Sequence, residues 1–145
     1  MALSLYLEVF MKKSFCPTGL EILLLHGAFF RGDYRVKQVL QDQDAVISAV
    51  TRAELRYGQA LMAANDKRRE RIDLFLDDIP ALPWTAAAAD AYGQLKTQLR
   101  QQGTPIGELD TQIAAHALAE NLVFITHNTR HFEKVAGLRV EDWVG

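Results

Sequence analysis

The chain carries a single cysteine, Cys16. That excludes an internal disulfide and any zinc site built from several thiolates. A lone thiol fits a reducing compartment, so a cytoplasmic location is expected. Long apolar runs are also missing. The longest, Ile22 to Leu25 followed by Ala28 to Phe30, is interrupted by His26 and Gly27. It falls far short of the roughly 18–20 residues a membrane helix needs. Residues 1–10 have no basic start of the kind a secretory signal shows. No internal repeat, low-complexity tract or Pro/Gly linker divides the chain. Excess charge of either sign is absent as well. The net charge is -2 and the pI about 6.1, which excludes a general basic surface that binds phosphates by charge alone. It does not exclude a nuclease, because a metal site needs carboxylates.

What is present is the material of one globular domain spanning residues 1–145. The chain is 49% hydrophobic and holds seven Phe, enough for a real core and unlike a disordered chain. Ala45 to Val50 is a short β-branched run and reads as a buried strand. Thr51 followed three residues later by Glu54 has capping-box spacing, so a helix is expected to start there. A second helix is expected over Lys67 to Leu76, with Ile72, Phe75 and Leu76 inward and Lys67, Arg68, Arg69 and Arg71 outward. Ile79 to Leu82 is a short strand candidate. Thr85 opens an Ala-rich helix that ends near Gly103. Glu108 to Glu120 is a further helix, Leu122 to Thr126 an apolar strand, and Leu138 to Val140 a last strand. Strands separated by helices predict an α/β fold, a mostly parallel sheet covered on both faces. In such sheets function sits at the carboxyl ends of the strands.

Two acids fall at those ends. Glu54 and Asp110 are each expected in the first turn of a helix, where the positive end of the helix dipole keeps a carboxylate ionised. Spacing alone is also satisfied by ordinary helix caps. Two ionised carboxylates from two helix starts could share one hard divalent cation, Mg²⁺ or Mn²⁺.

Several segments then carry a family resemblance. Ser48-Ala49-Val50-Thr51-Arg52-Ala53-Glu54-Leu55-Arg56-Tyr57-Gly58 resembles the S-x-V-T-x-x-E-L-x-x-G segment of PIN-domain ribonucleases of the VapC toxin type. Pro105-Ile106-Gly107-Glu108-Leu109-Asp110-Thr111-Gln112-Ile113-Ala114-Ala115-His116-Ala117 resembles their P-I-G-x-x-D-x-x-I-A-A-H-A. Ile125 to Val135 is similar to V-T-x-N-T-x-x-F-x-x-V, and Leu138 to Trp143 to the ending L-x-x-E-D-W. The segments lie in order, and the match extends from about residue 31 onward. The resemblance implies a PIN-like three-layer α/β/α sandwich. It implies Mg²⁺- or Mn²⁺-dependent hydrolysis of RNA, with tRNA a plausible target, by the toxin of a toxin–antitoxin pair. It also implies a VapB-like antitoxin as partner and a homodimer. By position, Glu54 and Asp110 match metal-binding acids, and Asn128 matches a polar catalytic position. Thr126 and Arg130 are substrate-binding candidates.

Residues 1–30 depart from the pattern. The family begins with a strand reading h-h-L-D-T-N, h being apolar, whose Asp is a central metal ligand. No such motif occurs here. The only acids before Arg31 are Glu8 and Glu21. Glu8 could end a first strand at Leu5-Tyr6-Leu7, and Glu21 stands at the wrong end of Ile22 to Leu25. Leu23 to Leu25 could fill the strand slot by apolar character. An altered reading frame is a second explanation. Pro17-Thr18-Gly19-Leu20 can be encoded as CCT-ACT-GGA-CTN, which one base later reads CTA-CTG-GAC, Leu-Leu-Asp, and Met11-Lys12-Lys13 resembles a natural start. The gene sequence would decide it. The rival functional expectation is therefore an impaired PIN-like module that binds antitoxin or RNA without cleaving.

The remaining candidates have plainer readings. His127 and His131 are expected to be solvated loop residues, His116 a packed core histidine, and Glu108 a solvated acid. The basic stretch from Lys67 reads as a solvated helix face. Lys96 and Arg100 join Arg130 as candidates for phosphate contact. Trp84 and Trp143 read as packing residues.

Overall fold

The computed structural model describes residues 9–11, 45–126 and 128–142. Glu8, Glu21, Leu23 to Leu25, the 16–30 stretch, His127 and Trp143 lie outside the described residues. In chain order the elements are β1 (Val9–Met11), β2 (Ile47–Ser48), α1 (Ala49–Leu61), α2 (Arg68–Asp78), β3 (Ala81–Leu82), α3 (Ala86–Gln101), α4 (Glu108–Ala119), β4 (Val123–Ile125), α5 (Thr129–Phe132) and β5 (Val140–Glu141).

The strand expected over Ala45 to Val50 is shorter than its β-branched run suggests. The chain turns helical at Ala49, because Ser48 and not Thr51 is the cap. The Ser48 hydroxyl accepts from the Val50 N–H at 3.1 Å, satisfying one of the orphan donors of the first turn. Thr51 is buried within the helix. The last strand also shifts, from Leu138–Val140 to Val140–Glu141. Thr85 does cap α3, accepting from Ala88 N–H at 3.1 Å.

β2 pairs with β3 in parallel, and β4 pairs with β5 in parallel. β1 runs against the parallel expectation. It pairs antiparallel with β4, Val9 opposite Ile125 and Met11 opposite Val123, and also lies beside β2. It is the end strand of the three-stranded sheet β1–β4–β5, lies beside the two-stranded sheet β2–β3, and runs opposite to β4. An antiparallel ladder satisfies the backbone of β4 as well as a parallel one does.

Alternation along β4 builds the layers. Val123 and Ile125 pack with Ile47, Ile72, Leu76 and Ile79 on one face. Phe124 packs with Leu95, Leu99, Ile113 and Phe132 on the other. Helices α1 and α2 thus cover one side of the sheet, and α3, α4 and α5 the other. This is the expected three-layer α/β/α arrangement. Its consequence for function is that α1, α4 and the turn after β4 all start at the carboxyl edge of the sheet.

Candidate functional site

Glu54 and Asp110 come together at that edge from different helices. Asp110 lies in the first turn of α4, as expected. Glu54 does not lie in a first turn. With Ser48 as cap it is the sixth residue of α1, so the capping-box reading with Thr51 fails. The expectation that a helix start would hold it ionised fails with it. Partial burial pushes the Glu54 carboxyl above its ordinary value, and the nearby Asp110 charge pushes it the same way. Desolvation and a like charge outweigh a helix dipole that fades beyond the first turn.

Asp110 is held by its surroundings. The backbone reaches α4 through Gly107, whose φ of +93° is a conformation that side-chain-bearing residues rarely adopt. Directly ahead of it, Ile106 is buried among Leu95, Leu99 and Phe132. His131 reaches across from α5. Its Nε2 lies 2.8 Å from Asp110 Oδ2 and 2.7 Å from the Ile106 carbonyl oxygen. The expectation of a solvated His131 is therefore wrong. The contact joins residues 21 apart in sequence, and nothing in the local spacing announces it.

The turn after β4 completes the edge. Thr126 is buried, and its hydroxyl accepts from the Asn128 N–H at 3.0 Å. Thr126 shapes this turn and offers no surface to a substrate. Asn128 is half-buried, caps α5 by position, and makes no side-chain capping bond. Arg130 is exposed. Glu108, the other acid in the first turn of α4, is exposed and pairs with Lys96 at 3.0 Å. That pair engages the Lys96 ammonium, which also meets the Tyr92 hydroxyl at 3.1 Å. Arg69, expected outward, instead donates to the carbonyls of Gln59 at 2.6 Å and Met62 at 3.2 Å, closing the end of α1.

Sequence reasoning identified His116 as a packed histidine but missed its partner. Fully buried, it meets the Ser48 hydroxyl through Nδ1 at 2.7 Å and stacks edge-on against Trp84 at 5.5 Å. Burial pushes its pKa below the ordinary value, against the opposing influence of Glu120 and the Pro83 backbone. Ser48 thus both caps α1 and ties it to α4, the helices that carry Glu54 and Asp110.

The donor set fits a hard divalent cation. Two oxygen-bearing groups of like charge repel each other at a partly desolvated edge, and a cation between them relieves that repulsion. Among the described residues no group of three or more His, Cys, Asp or Glu side chains is disposed to hold a metal. Such a pair suits an ion that keeps several of its waters.

Comparison with known proteins follows the same lines. A model of the PIN domain family matches residues 28–138, so the match begins after most of the atypical stretch. The tRNA(fMet)-specific endonuclease VapC of Shigella flexneri is 43% identical over 97 residues, covering 67% of this chain and 74% of that protein. Ribonuclease VapC2 of Rickettsia felis is 35% identical over 97 residues, covering 67% and 72%. Among solved structures, VapBC2 from Rickettsia felis bound to a promoter DNA fragment has a TM-score of 0.70 at 28% identity, covering 86% of this chain and 95% of that one. DNA-bound VapBC from Salmonella typhimurium has a TM-score of 0.64 at 37% identity, covering 68% and 74%. The chain belongs to the PIN-domain family and, within it, to the VapC-type ribonucleases.

Proposed function

We propose that the chain is the toxin of a toxin–antitoxin pair and acts as a divalent-metal-dependent endoribonuclease using Mg²⁺ or Mn²⁺. The observation that carries this is the pairing of Glu54 with Asp110, two carboxylates from different helices whose charges disfavour each other without a cation. In this reading both hold the ion. When bound, it supplies a more acidic water and charge neutralisation at the phosphoryl group. Asn128 adds a neutral polar group at the same edge, suited to orienting water. Arg130, exposed on α5, is suited to the phosphate backbone. Residues 1–145 act as one PIN-type domain in the cytoplasm.

The relatives' names point to tRNA as the substrate class, since one of them is a tRNA(fMet)-specific endonuclease. The structural neighbours are VapBC assemblies, which supports a VapB-like antitoxin as partner. A basic side chain of that antitoxin would suit the two carboxylates. A homodimer is part of the same reading.

One observation favours a second reading. The described residues bring two acids to the site and no third. An impaired module that binds antitoxin or RNA without cleaving would have that composition. An assay of the purified chain on bulk tRNA separates the two. Cleavage with Mg²⁺ that stops with EDTA and returns with added Mn²⁺ supports the nuclease. RNA or antitoxin binding with no cleavage under either ion supports the impaired module.

A further inference from the structure

His131 occupies a variable position of the family motif, and local spacing reads it as solvated. Its Nε2 stands at hydrogen-bond distance from two oxygens at once, the Ile106 carbonyl at 2.7 Å and Asp110 Oδ2 at 2.8 Å. A carbonyl oxygen only accepts. Nε2 therefore carries the hydrogen, and that N–H is shared between the carbonyl and the carboxylate. The ring is fixed from behind. It packs edge-on against Phe132 at 5.2 Å and 87°, and Phe132 is fully buried against Phe124. The His131 backbone N–H also bonds the Asn128 carbonyl at 3.2 Å.

We infer that His131 is the positioning residue for Asp110 and not a metal ligand. It ties Oδ2 to the turn before α4 and to α5, and leaves Oδ1 as the oxygen offered to a cation. The imidazole engages Oδ2 and not Oδ1. A nitrogen that carries its hydrogen toward a carbonyl has no lone pair for a metal. The side chain therefore acts through Asp110, as groups behind metal ligands commonly do. The same bond couples the Asn128 turn to the Asp110 helix, so both sides of the edge are fixed by one imidazole. This inference rests on the metal-dependent reading of Glu54 and Asp110.

The test is Mn²⁺ titration of the purified full chain by calorimetry, with the electron spin echo spectrum of the bound ion as a second readout. His131→Ala is expected to weaken Mn²⁺ binding about tenfold. His131→Gln places an amide N–H at a similar reach and is expected to restore most of that loss. The parent's bound Mn²⁺ is expected to show no directly coordinated ¹⁴N. Equal affinity in the parent and His131→Ala overturns the inference, and so does His131→Gln binding no better than His131→Ala. A directly coordinated histidine nitrogen overturns it by making His131 a ligand. Failure of the parent to bind Mn²⁺ overturns the metal reading itself, and the positioning role with it. That outcome is distinct from a parent that binds with unaffected variants.

Discussion

Glu54 shows why a motif locates a residue better than it predicts its state. Its position follows from the sequence, but its ionisation depends on where the helix begins and on what lies across the edge. The cap at Ser48 moves it out of the first turn, and Asp110 raises its pKa from another helix. A carboxyl with a raised pKa binds more protons folded than unfolded. Stability of the metal-free protein therefore falls as pH rises from about 4.5 through the folded pKa. Glu54→Gln is expected to melt higher than the parent at pH 7 while losing activity, a common trade at working sites. The gap should close near pH 4, where both carry a neutral side chain; thermal melts at the two pH values in EDTA check it. Gly107 is a plainer case. Its sequence context marks a turn, but only the backbone reveals φ +93°, with open space where a Cβ would stand. Gly107 also has ψ 158°, a glycine-only region, so Gly107→Ala is expected to cost about 1–3 kcal/mol in urea unfolding, from backbone conformation and not from a clash. The role of His131 is not legible, because its partner is 21 residues away; the helical spacing of two histidines hints at a metal, but with no third ligand adjacent a loop segment reads as solvated.

Among the elements, the helices were legible and their ends less so. Thr85 and the Ala-rich run placed α3, and Glu108 to Glu120 placed α4, because apolar periodicity and a capping hydroxyl are local signals. The start of α1 was misplaced because Ser48 and Thr51 are both good caps and only packing chooses between them. Ser48 wins because its hydroxyl serves two partners, Val50 N–H and His116 Nδ1. Ser48→Ala removes a helix cap, worth about 1 kcal/mol, and the buried hydrogen bond to His116, worth about 0.5–1.5 kcal/mol more. A loss of about 1.5–2.5 kcal/mol in urea unfolding is expected from the two effects together. The same histidine gives a pH signature. Its folded pKa lies below 6.5, so the unfolded chain binds more protons between those values. The stability it contributes is complete above 6.5 and declines as pH falls below it. His116→Asn is expected to flatten that acid limb of the stability–pH curve.

For the whole molecule, the layered architecture was legible from alternating strands and helices. The direction of β1 was not. A short apolar strand carries no mark of its direction, and a mostly parallel sheet, the expectation for this fold class, leaves room for one reversed strand. The strand reverses and still pairs with β4 through Val9 and Ile125. The near-neutral composition is a statement about the sum of charges, with 16 basic and 18 acidic residues. It leaves room for an acidic edge that accepts a cation. In the proposed reaction Glu54 and Asp110 act as one metal-holding pair in RNA cleavage. Single-turnover cleavage of tRNA in Mg²⁺, comparing the parent with Glu54→Gln and Asp110→Asn, tests it most directly. The parent is expected to cleave, and each variant to lose about 100-fold or more. Cleavage that survives both substitutions, or a parent that binds RNA and never cuts it, would contradict it.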